Sequence, residues 1–130
     1  MGLKIFDAYR PYSATKLMWD MIHDERYVAN LANGSGHNRG IAIDLTLTNI
    51  DTGEALDTGT AFDNFADSAH HSFTKQLPPQ LSANRELLKT TMEKFGFKSL
   101  ATVWWHYSFS SVEVYDLLDT YFRILQRKIK

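Results

Sequence analysis

The stretch "SGHNRGIAIDLTL", residues 35–47, decides how the chain folds. Its first half is punctuated by Gly36, Asn38 and Gly40, which is loop composition. In its second half Ile41, Ile43, Leu45 and Leu47 alternate with Ala42, Asp44, Thr46 and Thr48. A period of two is that of a strand, so a strand is predicted over 41–50. The loop before it runs over 30–40. A second strand is predicted in "ATVWWHYSF", residues 101–109, over 103–109. Its histidine, His106, is then a polar ring in apolar surroundings and needs a partner.

Outward from these two strands, Leu3 to Phe6 reads as a short core strand. The chain turns at Pro11 into a helix capped by Ser13, with Ala14, Leu17, Met18, Met21 and Ile22 at helical spacing. "DTGE", residues 51–54, is a turn, and residues 60–73 form a polar and aromatic loop. After the break "QLPPQ", Ser82 caps a helix over 83–95 that Gly96 closes. Residues 114–130 show apolar residues at helical intervals and end in Arg127, Lys128 and Lys130, cations suited to a helix C-terminus. The irregular alternation of helices and strands predicts an α+β fold, a small central antiparallel sheet with helices packed on it.

The chain has 130 residues, a length that predicts one domain, 1–130, with a core that needs no disulfides. Its net charge is -1 and its cations form no large patch, so nucleic acid is not expected as a partner. Without cysteine it has neither a disulfide framework nor a thiolate metal site, and any metal must rest on His, Asp or Glu. No apolar run approaches the ~20 residues of a membrane span. The N-terminus lacks the apolar region of a signal peptide, usually ~7–15 residues, so as written the chain is expected in the cytoplasm. The abrupt start on a strand suggests that a front portion is missing, in which case export to the periplasm or beyond stays open.

Three residues stand out chemically. His37 lies in the glycine-punctuated loop, Asp44 on the polar side of the following strand, and His106 on the second strand. Two histidines and a carboxylate on a rigid frame, with one position open, make a catalytic-type zinc site. By spacing alone the alternative is a hydrogen-bonded core histidine beside an apolar strand.

Ser35, His37, Gly40, Ala42 and Asp44 match the Ser-x-His-x-x-Gly-x-Ala-x-Asp signature of the zinc D-Ala-D-Ala peptidases. "WWHY", residues 104–107, matches their second motif, and "DAYRP" and "FDNFADSAHH" match two further blocks of the VanX-type D-alanyl-D-alanine dipeptidases. The chain therefore resembles that family, which is related in fold to the hedgehog signalling domain. The resemblance implies one zinc ion per chain on His37, Asp44 and His106, and hydrolysis of D-Ala-D-Ala or a peptidoglycan-derived peptide. It implies that Arg10 stabilises the oxyanion, that Ser35 holds the substrate carboxylate and that Asp63 faces its ammonium. His70 and His71 match a "SHH" block that Ala69 interrupts here, and read as supports of the ligands or as structural partners, rather than as ligands. His23 matches nothing and reads as a surface residue. Trp104 and Trp105 read as core and pocket wall.

Two departures qualify the resemblance. Val103 stands where the family has the glutamate of Glu-x-x-His, the general base that takes a proton from the attacking water and passes it to the leaving amine. Valine accepts no proton, so the expectation is a strongly impaired enzyme that still binds zinc. Only nine residues precede Arg10, and the family's longer N-terminal region, which contributes to the substrate pocket, is expected to be absent. Two alternatives follow: a catalytically silent zinc domain that binds wall peptides or a protein, and a carboxypeptidase with an open cleft.

Overall fold

The computed structural model describes residues 1–110 and 113–129. Four strands form one antiparallel sheet: β1 (Gly2–Asp7), β2 (Ala42–Thr48), β3 (Phe97–Ser99) and β4 (His106–Phe109), in the order β1-β2-β4-β3. Among the described residues three α-helices accompany it, α1 (Tyr12–Met21), α2 (Pro79–Lys94) and α3 (Phe122–Lys128). The expected α+β architecture is the observed one.

The alternating stretch forms the inner strand β2, flanked by β1 and β4. Its side chains are buried on both faces of the sheet: Leu45 and Leu47 on one, and Asp44, Thr46 and Thr48 on the other. Leu45, Leu47 and Tyr107 from the sheet join Leu88 and Met92 of α2 in one core with Val103, Trp104 and Trp105. The polar side of β2 is therefore not a solvent face.

Several elements differ from their sequence reading. The second strand is shorter, because residues 100–105 are the hairpin connection between β3 and β4. Leu100 N–H donates to His106 O and Val103 N–H to Leu100 O, so the two tryptophans sit on a turn, buried nonetheless. β1 is an edge strand whose Leu3 and Ile5 are exposed, at 61% and 58%, rather than core. Helix α1 begins at Tyr12 after Pro11, not at a Ser13 cap; Ser13 N–H donates instead to Asp119 Oδ1. Its Leu17 and Met21 are exposed, and its fully buried residue is Thr15. Helix α2 starts four residues earlier than Ser82 would place it, because Pro79 at the first helical position has a preset φ and lacks only an N–H the helix would leave free. It ends as expected before Gly96, whose φ is 89°.

The largest difference is at the C-terminal end. Residues 113–121 are not helical, and the helix is confined to α3. The apolar spacing there loses to tertiary backbone bonds: Leu118 N–H donates to Asn38 O, and Tyr12 N–H to Leu118 O. The Tyr9 hydroxyl both donates to Thr120 O and accepts from Thr120 N–H. A helix could not offer those groups sideways. Lys130, expected at the helix end, lies outside the described residues. Among the described residues no helix is long and apolar enough to cross a membrane.

Candidate metal centre

The glycine loop before β2 folds into one 3₁₀ turn, Gly36–Arg39, and Gly40 closes it in the left-handed region at φ 69°. Ser35 caps this turn: its Oγ accepts from His37 N–H at 3.2 Å, and Asn38 Oδ1 accepts from Ser35 N–H at 2.8 Å. Asn38, wholly buried, also donates to Arg10 O and to Thr15 Oγ1, both at 2.9 Å. The turn, the "YRP" segment and α1 are thus one hydrogen-bonded unit, which brings His37 back over β2.

Asp44 and His106 need no such device. They are directly opposed across the β2–β4 ladder, and paired residues share a face of the sheet. His37 Nε2 lies 3.2 Å from His106 Nδ1 and 3.3 Å from Asp44 Oδ1, and His106 Nδ1 lies 2.9 Å from Asp44 Oδ1. Among the described residues these three form the group of metal-capable side chains whose ligand atoms lie within 4.8 Å of one another.

The remaining ring nitrogens fix the orientation. His37 Nδ1 is 2.7 Å from Ala8 O, a carbonyl that only accepts, so the tautomer assigned here has hydrogen on Nδ1 and the Nε2 lone pair facing the cluster. His106 Nε2 is 3.2 Å from Ser108 Oγ, which leaves Nδ1 inward. Burial pushes the Asp44 carboxyl up, but the imidazoles of His106 and His37 beside it outweigh burial and hold it below its usual range. A tetrahedral ion with bonds of ~2.0–2.2 Å has ligand atoms about 3.3–3.6 Å apart, close to the triangle found here. The donor set, two imidazoles and one carboxylate with outward hydrogen-bond supports, fits such an ion.

The cluster lies in a cavity of about 440 Å³ that Arg10, Ser35, Asp63 and Val103 also line. Arg10 is held by an ion pair with Asp7 at 3.5 Å and a contact with Met18 Sδ, and its buried Nε–H has no partner. Ser35 Oγ is occupied as an acceptor, so its own hydrogen stays available. Asp63 sits at the rim with φ 61°; desolvation pushes its carboxyl up, and the negative charge of Asp44 adds to the rise. Val103 is 3% exposed, its side chain against the cavity beside Trp105.

His70 and His71 lie apart from the cluster. His70 Nε2 meets Tyr27 Oη at 3.3 Å, and His71 packs edge-on to Tyr107 with its Nε2 buried and unpartnered. The nitrogens that orient the cluster find Ala8 O and Ser108 Oγ instead. His23 is exposed beside Trp19. Sequence reasoning passed over Asn38, Thr15 and Arg85. For Arg85 a signal existed: it shares a helical stripe with Leu88 and Met92, spacing i, i+3, i+7, where a cation is out of place.

The sequence model of the M15 peptidases, described as D-ala-D-ala dipeptidase, matches residues 1–125. The chain belongs to that family. It is 38% identical over 122 residues to a D-alanyl-D-alanine dipeptidase of Escherichia coli (strain K12), covering 94% of this chain and 62% of that protein. The dipeptidase of Enterococcus faecalis (strain ATCC 700802 / V583) is 37% identical over 139 residues, 93% of this chain and 67% of the relative. That of Enterococcus faecium is 34% identical over 124 residues, 82% of this chain and 61% of the relative. The M15 chain described here thus spans about three fifths to two thirds of the length of these relatives. M15 peptidases are metal-dependent hydrolases, and the His37–Asp44–His106 cluster is a group able to hold a metal ion.

Proposed function

We propose that this chain is the zinc-binding core of a D-alanyl-D-alanine dipeptidase, and that with Val103 in place it hydrolyses the dipeptide barely above background. The observation that carries the reading is the meeting of His37 Nε2, Asp44 Oδ1 and His106 Nδ1 in a cavity that also receives Arg10, Ser35, Asp63 and Val103. Zinc, when bound, supplies Lewis acidity that makes water nucleophilic near neutral pH and polarises a carbonyl. His37, Asp44 and His106 hold the ion. Arg10 offers a fixed positive charge to the oxygen on which negative charge develops. Ser35 donates its hydroxyl hydrogen to the substrate carboxylate, and Asp63 faces the ammonium. Val103 has no group to take a proton from the attacking water or hand one to the leaving amine, a role typically worth ~10²–10⁴-fold.

The test uses the chain and its Val103→Glu variant at equal zinc occupancy, with release of free D-alanine followed. The expected result is one zinc per chain in both and a rate about 10²-fold or more higher in Val103→Glu. Absence of stoichiometric zinc, or an ordinary enzymatic rate in the unaltered chain, would sink this assignment of roles. Val103 also favours a second reading, a catalytically silent zinc domain that binds wall peptides or a protein. That reading moves ahead if Val103→Glu stays inactive with zinc bound.

A further inference from the structure

Arg85 is 1% exposed and is among the largest fully buried side chains described. A buried guanidinium is normally paired with a carboxylate. Here no carboxylate stands within ion-pair distance of it among the described residues. Its N–H groups go instead to three main-chain carbonyls: Nε donates to Thr58 O at 2.6 Å, Nη2 to Ser68 O at 2.8 Å and Nη1 to His70 O at 3.3 Å. Beside it, Asn84 Nδ2 donates to Asp57 O at 2.7 Å, and Asn84 Oδ1 accepts from Gln80.

All four carbonyls belong to one loop, and they lie at its two ends. Between them run Phe62, Asp63 and Phe65, which line the cavity of the metal cluster. This span has little regular structure to hold it: a short 3₁₀ turn, Asp67–Ala69, and a few local bonds. Its aromatic rings lean on others, Phe62 stacking on Phe6 and both Phe62 and Phe65 meeting Trp105. A loop of this kind keeps one shape only if its ends are fixed together. The planar fork of an arginine reaches three acceptors at once, which a lysine ammonium on a single point cannot match in the same directions.

We infer that Arg85, with Asn84 beside it, is the positioning residue that fixes residues 58–70 as the substrate-side wall of the metal cavity. The inference rests on the proposed function for the word substrate. It does not rest on it for the clamp. The metal cluster itself stands on β2, β4 and the 3₁₀ turn before β2, so loosening this loop leaves the ligands where they are.

The experiment compares the zinc-loaded full chain with its Arg85→Lys variant by three readouts: zinc affinity, D-Ala-D-Ala affinity by calorimetry, and amide hydrogen exchange. The expected result is zinc affinity unchanged within about twofold, dipeptide binding about tenfold weaker, and exchange of residues 58–70 faster by about tenfold while β2 and β4 keep their protection. Unchanged exchange at 58–70 overturns the inference. So does an equal acceleration through β2 and β4, which is what a purely structural role produces. If Arg85→Lys does not fold, Asn84→Ala, which removes one bond of the same clamp, is read by the same criteria. If the unaltered chain binds zinc but no dipeptide, the proposed function fails, and the exchange comparison still decides the clamp.

Discussion

Replacing His37 by alanine separates the ligand role of this ring from its structural role. The ring is 2% exposed and donates to Ala8 O at 2.7 Å. Its loss removes that bond and leaves a cavity where the buried ring stood, which together cost about 2–4 kcal/mol without any metal. A drop in stability alone therefore proves nothing about zinc. The response to zinc does. An ion bound only by the folded chain, supplied at about 100 times its dissociation constant, adds about 2.7 kcal/mol. For a chain of this length 1 kcal/mol moves the melting temperature by about 3–5 °C, so zinc should raise it by about 8–13 °C. In His37→Ala two donors remain, and the rise should nearly vanish. The assay is thermal unfolding by circular dichroism, each protein measured with chelator and with zinc. A full zinc-dependent rise in His37→Ala would refute the ligand assignment, and no rise in the unaltered chain would refute the site.

Val103→Glu places a further carboxylate in the cavity with Asp44 and Asp63, so without metal it should cost about 1–3 kcal/mol, and zinc should narrow that gap; urea melts with and without zinc measure both. His71 is held down to about 4 by burial, with Lys89 and Arg85 adding to the effect. Its folded value lies below its unfolded one, so the unfolded chain binds the extra proton: stability is full above about pH 6.5 and falls as pH drops toward 4, by up to about 3 kcal/mol. His71→Phe should flatten that part of the profile, and equal slopes in the two proteins would show that other groups set it. Asn38→Ala strips partners from Ser35 N–H, Arg10 O and Thr15 Oγ1 and should cost about 2–5 kcal/mol in denaturant unfolding, with weaker zinc binding because the turn carrying His37 loosens.

What could be read from the sequence is what has a local signature. β2 shows its period of two, and the Ser-x-His-x-x-Gly-x-Ala-x-Asp spacing together with the "WWHY" motif pointed to the three side chains that the fold brings together. What stayed hidden depends on partners distant in sequence. Leu3 and Ile5 look like core residues, and only the strand order makes them an exposed edge. Residues 114–121 have helical spacing, and bonds to groups distant in sequence, Asn38 O, Tyr12 N–H and the Tyr9 hydroxyl among them, hold them out of a helix. Thr15 and Asn38 look like ordinary polar residues until their mutual bond is seen. Ser82 carries a capping side chain, but Pro79 reached the helix start first.

The opposition of Asp44 and His106 across the β2–β4 ladder has a consequence for assembly. The two residues are 62 positions apart, so their pairing closes a long loop, a slow and error-prone event during folding. A slip of one residue in that pairing would turn one of the two side chains to the opposite face and undo the cluster. An ion that binds all three donors thus recognises only the correctly registered sheet. Such an ion would act as a proofreader, drawing misregistered chains back into the productive population. Refolding yield should then depend on metal present during folding, more than on metal added afterwards.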